Sequence, residues 1–176
     1  KYLGGATINV AAGISRIGAP SALITITGDD ETSEFCRQEI QGEGVSMEYS
    51  IFDPVKRVSG VYVHLKENGE REFKDYVDET PDLQVTPEQL NEAAFKRASI
   101  LNVCSGTMFD PTALATTRAA VDMAKEKGAI IAIDANIRPL RWSSEDYCRE
   151  TINDFFEDAD ILKLTDDELF FLTEST

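Results

Sequence analysis

Two short stretches of this 176-residue chain gather side chains able to hold an anion. In "DANIRPLRW" an apolar run ends on Asp134, and Asn136 and Arg138 follow at every second position. In "KLTDDE" a second apolar run ends just ahead of Thr165 and Glu168. Arginine forms charge-assisted, forked bonds to phosphate oxygens, so such a set suits a phosphorylated ligand. A plainer reading stands beside each stretch. Asp and Asn both favour turns, and Thr165-x-x-Glu168 ahead of an apolar run has the form of a helix capping box. A cap and a contact to magnesium through water are compatible roles for one carboxylate at a helix start.

A third stretch, "KYLGGATINVAAGISRIG", places Gly4 and Gly5 between the tail of a strand and a helical pattern. Glycine in a regular element costs about 0.5–1 kcal/mol relative to alanine, so that junction must favour bare backbone. Gly28-Asp29-Asp30 reads as a turn followed by a helix cap, and His64 as a surface residue of a strand. Tyr62 and Tyr76, on facing strands, read as a cross-strand packing pair or as a ligand wall.

The elements that must position these groups follow from hydrophobic period. Residues 8–18 are helical in pattern, with Ile8, Ala11, Ala12 and Ile14 on one face and Gly18 as the stop. SALITIT (21–27) reads as a strand, 31–41 as a helix with Phe35, Cys36 and Ile40 inward, and MEYSIF as a further strand. RVSGVYVHL and GEREFKDYV alternate around Asn68-Gly69, a strong hairpin signal. Thr86-Pro87-Glu88-Gln89 is a capping box with proline at the first helical position, opening a helix to about Arg97. SILNVC, AIIAID and DILKLT are apolar strands, separated by helices over 112–127 and from Ser143 or Ser144 to about Asp158, with a last helix after Thr165. Alternating strands and helices with nearly continuous apolar strands predict an α/β fold. Its sheet is mostly parallel, with helices on both faces and a small β appendage over one edge. Ligands of such sheets bind at the C-terminal ends of the strands, where Asp134, Thr165 and Gly28 all fall.

Composition narrows the partners. Lys and Arg number 17 against 32 Asp and Glu, a net charge of −15, which argues against a nucleic-acid or anionic-membrane surface. Cys36, Cys104 and Cys148 are widely spaced with no CxxC pair, as reduced thiols of a cytoplasmic protein would be. No run reaches the length of a membrane span. A first residue other than Met and a strand-like beginning give the appearance of an internal segment of a longer protein.

Taken together, these stretches resemble the ribokinase-like carbohydrate kinase family, most closely its fructokinase branch. Gly4-Gly5, Asn9, the small Ala11, Gly18 and Gly28 keep the family's spacing. "DANIR" is similar to its Asp-x-Asn-x-Arg motif and "KLTDDE" to its Asn-x-x-Glu motif, with Thr165 in place of asparagine; "REFKDY" followed by "LQVTPEQL" resembles the branch as well. Thr7 departs from the usual proline or small residue. The resemblance implies a Rossmann-like core with residues 46–78 as part of an inserted β lid, and it leaves N-terminal strands and a C-terminal ATP-binding part outside residues 1–176. It implies transfer of a phosphoryl group from ATP, with Mg2+, to a sugar hydroxyl, most closely fructose to fructose 6-phosphate. Gly4, Gly5, Asn9, Tyr62 and Tyr76 would meet the sugar, with the paired glycines as hinge between core and lid. Arg138 would meet the substrate or the transferred phosphoryl group as the catalytic contact. Asn136, Lys163, Thr165 and Glu168 would serve the nucleotide, with Glu168 reaching magnesium through water. The family's catalytic aspartate would lie beyond Thr176, so the segment alone is expected to be inactive. A homodimer through the lid is the expected assembly. The alternatives are a 2-keto-3-deoxygluconate kinase, disfavoured because Val77 stands where those enzymes carry arginine, another sugar or nucleoside kinase, or a non-catalytic binding protein derived from a kinase.

Overall fold

Asp30, Asn91, Asp110, Ser144 and Thr165 each stand one residue ahead of a helical run, and each side chain accepts a hydrogen bond from a backbone N–H of the first turn. Such a cap contributes about 1 kcal/mol. These five residues start α2 (Glu31–Gly42), α3 (Glu92–Arg97), α4 (Pro111–Glu126), α5 (Glu145–Phe156) and α6 (Asp166–Thr173). Gly28-Asp29-Asp30 is therefore the turn and cap expected. Among the α-helices of the described residues only α1 (Ala6–Arg16) starts without a side-chain cap, on Gly5. The computed structural model describes residues 2–58, 60–65, 71–77 and 84–175, with 61–65 and 71–77 described as backbone.

Three parallel strands, β5 (Ile100–Cys104), β6 (Ile130–Asp134) and β7 (Ile161–Lys163), form the sheet of the second half in the order β5-β6-β7. Ile131 and Ile133 of β6 are buried with Phe95, Val121 and Ala124 of α3 and α4 and with Cys148, Ile152 and Phe155 of α5. Each large apolar side chain removed from water here contributes about 1.5–3 kcal/mol. On the opposite face, Asn102, Ala132 and Ile161 share a register row, and α1 packs against β5 from that side. Helices thus flank the sheet, and Ile100, Ile130 and Ile161 are exposed. A second small core joins Ala11 of α1, Leu23, Ile40 of α2 and Val45.

Several elements are shorter or more broken than their patterns. In 21–27 only Ile26–Thr27 is a strand (β1), paired in parallel with Ile51–Phe52 (β2). MEYSIF does not run as one strand because it turns at Met47–Ser50, where Ser50 N–H donates to the Met47 carbonyl at 2.9 Å. The segment from Thr86 to Arg97 is two pieces. The capping box holds, with Thr86 N–H donating to Gln89 Oε1 at 3.0 Å, but it closes only a 3-10 turn over Pro87–Gln89. Leu90 is extended at ψ 131°, packs on the main core, and hands over to Asn91, the cap of α3.

The hairpin forms as expected, β3 (Gly60–Leu65) against β4 (Arg71–Val77). Its register sets Tyr76 opposite Val61 and Tyr62 opposite Lys74, with an irregularity between Val61 and Tyr62. The two tyrosines are therefore not direct cross-strand partners. The Asn68-Gly69 turn and the side chains of Tyr62, His64 and Tyr76 lie outside the described residues.

Candidate functional site

Parallel register brings Cys104, Asp134 and Lys163 side by side at the C-terminal ends of β5, β6 and β7. Lys163 Nζ donates to Asp134 Oδ1 at 2.9 Å. The carboxylate is mostly covered, at 13% exposure, while the lysine is 60% exposed and reaches outward. That bond is the first cause of a Lys163 pKa raised above the ordinary lysine value, so the ammonium is fully charged at neutral pH. Burial is the first cause that raises the Cys104 thiol, which stays protonated there.

Beyond Asp134 the chain makes a sharp turn. Ala135 N–H donates to the Lys163 carbonyl at 2.9 Å, and its own carbonyl accepts from the buried Ser105 hydroxyl. Asn136 then takes φ 38°, a left-handed conformation that asparagine tolerates better than most residues. Gly106 lies against it: a Cβ built on that glycine would sit 3.7 Å from Asn136 Oδ1. Arg138 follows, exposed, its guanidinium donating to the Ile137 carbonyl at 2.9 Å. Among the described residues no carboxylate pairs with Arg138. Below this loop the buried Trp142 packs edge-on to Tyr147 at 5.7 Å, and Arg141 stacks over Phe109 at 4.1 Å, so the loop rests on a firm floor.

The Thr165 segment is a capping box in fact as well as form. Glu168 N–H donates to Thr165 Oγ1 at 3.3 Å, and Thr165 N–H donates to Glu168 Oε2 at 2.8 Å. Glu168 does more than cap: its Oε1 accepts from the backbone N–H of Ile137 at 2.9 Å. Asp134, Asn136, Arg138, Lys163, Thr165 and Glu168 thus form one cluster at the strand ends.

The first-half residues lie at and just inside the start of α1. Gly5 has φ 122°, which explains the glycine at the start of α1, because a Cβ would strain that conformation. Gly4 faces open space and shows no such requirement. Asn9, one turn into α1, is exposed. The link between the groups is Val10, which lines a cavity of about 250 Å³ with Asn102, Ala132, Asp134, Ile161 and Lys163. Neither Gly5, Asn9 nor Arg138 lines it.

Ser105 and Gly106 escaped the sequence reading. The strand-end rule that picked out Asp134 and Thr165 applies equally to the end of SILNVC, and the small Ser-Gly pair there was the signal. Among the described residues no group of three or more His, Cys, Asp or Glu could hold a metal, and no helix is long and apolar enough to cross a membrane.

Comparison with known proteins identifies the family. The profile of the pfkB family carbohydrate kinases matches residues 1–176. Fructokinase-2 of Oryza sativa subsp. japonica is 36% identical over 99% of this chain and 52% of its own length. Probable fructokinase-5 of Arabidopsis thaliana is 35% identical over 98% of this chain and 53% of its own. The chain therefore spans about half the length of the curated relatives it matches. Among solved structures, fructokinase from Vibrio cholerae O395 in a fructose, ADP and calcium ion bound form superposes with a TM-score of 0.84 at 30% identity, over 98% of this chain and 56% of that one. Fructokinase from Xylella fastidiosa gives 0.85 at 27%, over 97% and 53%. A profile match along the whole of residues 1–176 settles the family: the chain belongs to the pfkB family of carbohydrate kinases.

Proposed function

We propose that the complete protein transfers the γ-phosphoryl group of ATP to a hydroxyl of a neutral sugar, fructose giving fructose 6-phosphate. The observation that carries this reading is Arg138, an exposed guanidinium without a carboxylate partner among the described residues, set beside Lys163 at the strand ends of a chain 36% identical to a fructokinase. In the reaction the sugar oxygen bonds to phosphorus, the bond from phosphorus to the β-phosphate bridging oxygen breaks, and ADP leaves. The hydroxyl proton passes to a base outside residues 1–176. Little covalent work falls to the protein, so positioning and charge stabilisation decide the rate. Arg138 holds the transferred group, Gly5 and Asn9 with Gly4 contact the sugar, and Tyr62 and Tyr76 approach it from the hairpin as lid. Asn136, Lys163 and Thr165 serve the nucleotide.

Among the described residues none build a metal cage, but those present fit a magnesium ion carried by nucleotide phosphates and touched through water by Glu168. When bound, that ion offsets phosphate charge. A cytoplasmic location is supported by the free thiols of Cys104 and Cys148, and a homodimer through the hairpin by the poor burial of a two-stranded sheet alone.

The test is ADP release by the complete protein against a panel of sugars. Fructose should give the highest kcat/KM. Preference for an acidic sugar such as 2-keto-3-deoxygluconate, or no turnover with any sugar, overturns the reading.

A further inference from the structure

Glu168 and Ile137 are 31 positions apart in the chain, yet the carboxylate of one accepts from the backbone N–H of the other at 2.9 Å. The helix cap does not need this bond, because Glu168 Oε2 already serves Thr165 N–H at 2.8 Å. The second oxygen reaches out of its own helix to the loop after β6. Ile137 is buried at 7% exposure and is held at both ends of its backbone: its N–H by Glu168, its carbonyl by the Arg138 guanidinium at 2.9 Å. On its other side stands Asn136 at φ 38°.

We infer that Glu168 is a positioning residue, whose carboxylate clamps the Arg138 loop to the start of α6 so that the two strand-end loops move as one body. The inference rests on the kinase reading for its consequence, but not for its geometry. Only a carboxylate of this length can do both tasks. Glutamine offers one acceptor oxygen, so its amide NH2 would face one of the two backbone N–H donors. Aspartate is a methylene shorter. The clamp leaves further lone pairs on each oxygen, so it coexists with a contact to a magnesium-bound water.

Amide hydrogen exchange on the complete protein, free of nucleotide and metal, tests the clamp directly. Ile137 should be protected in the wild type, and Glu168→Gln should speed its exchange by at least about tenfold, as loss of a bond to a charged acceptor implies. Ile133 in the core should change by less than about twofold. Thr165→Ala, which removes the cap hydroxyl and leaves the carboxylate, should keep Ile137 protected. An unprotected Ile137 in the wild type, or equal exchange in wild type and Glu168→Gln, overturns the inference. If Glu168→Gln does not fold, the wild-type protection and Thr165→Ala decide it. A protein that phosphorylates no sugar sinks the kinase reading and leaves the exchange result to stand alone.

Discussion

Asp134 and Lys163 are register partners on β6 and β7, and the lysine ammonium donates to the carboxylate across the strands at 2.9 Å. A fixed cation therefore stands at the strand ends before any ligand arrives, with its counter-charge tucked beneath it at 13% exposure.

The Lys163 pKa is raised above the ordinary lysine value by its bond to Asp134. A raised folded value means that the stabilisation is fully present below the unfolded pKa of about 10.4 and is lost as pH climbs through the folded one. Asp134→Asn should bring the Lys163 pKa down, as read by NMR titration of the Nζ or Cε signals. The same substitution should cost less than about 1 kcal/mol near neutral pH, because the lysine is exposed and screened. An unmoved Lys163 titration would show that the pair is not what holds the proton.

Arg138 should separate rate from stability. It is exposed, and its side chain bonds only to the carbonyl next to it among the described residues, so Arg138→Ala should shift the urea unfolding free energy by no more than about 0.5 kcal/mol. On the role proposed for Arg138, removing a donor aimed at developing negative charge should cost about 10²–10³ in kcat. Steady-state kinetics of the complete protein should show that fall in kcat with ADP release as readout. A change confined to KM for the sugar would assign Arg138 to ground-state binding.

The legibility of this chain varied with the range of the forces involved. Capping is local chemistry, so Asp30, Thr86 and Thr165 were readable from four residues each, and the apolar strands of the second half announced a parallel sheet. The single helix expected from Thr86 to Arg97 failed because Leu90 packs on the main core and leaves helical geometry to do so, which no local pattern reveals. MEYSIF has strand composition, but the turn at Met47–Ser50 is set by its neighbour, where Ser50 Oγ donates to the Leu23 carbonyl at 2.6 Å. The strand-end placement of Asp134, Thr165 and Glu168 was readable, whereas the contact from Glu168 to Ile137 was not, because it joins two loops whose approach depends on the register of β6 with β7. The offset of Tyr62 from Tyr76 comes from an irregularity in the hairpin that alternation alone would not show.

Gly28 should prove the least replaceable glycine for packing. A Cβ built there would lie 1.6 Å from the Lys56 carbonyl oxygen, and backbone on both sides would have to move. Gly28→Ala should therefore cost about 3 kcal/mol or more, at the upper end for overpacking. Gly13, inside α1 with nothing within 4 Å of a built Cβ, is the control. Gly13→Ala should stabilise by about 0.5–1 kcal/mol through helix propensity. Opposite signs in urea unfolding are expected, and a Gly28→Ala protein as stable as the wild type would mean that residues 56 and 57 yield freely.

Asp158 should shape the acid limb of stability. It follows α5 and joins that end of the helix to α4, accepting from Lys125 Nζ and from Arg118 Nη1, the latter at 2.8 Å. Arg118 also stacks over the Phe155 ring at 3.8 Å, so the cation is held in place by packing as well as by charge. The bond from Lys125 is the first cause that holds the Asp158 carboxyl below its usual range. A depressed folded value contributes stability above the unfolded pKa of about 3.9 and loses it as pH falls through the folded one. Asp158→Asn should therefore lose about 1 kcal/mol at neutral pH, near the top of the range for partly exposed pairs, and should show a flatter decline of unfolding free energy between about pH 5 and pH 2 than the wild type. Parallel acid limbs in the two proteins, measured by urea titration at successive pH values, would show that the Asp158 carboxyl titrates alike in the folded and unfolded chains.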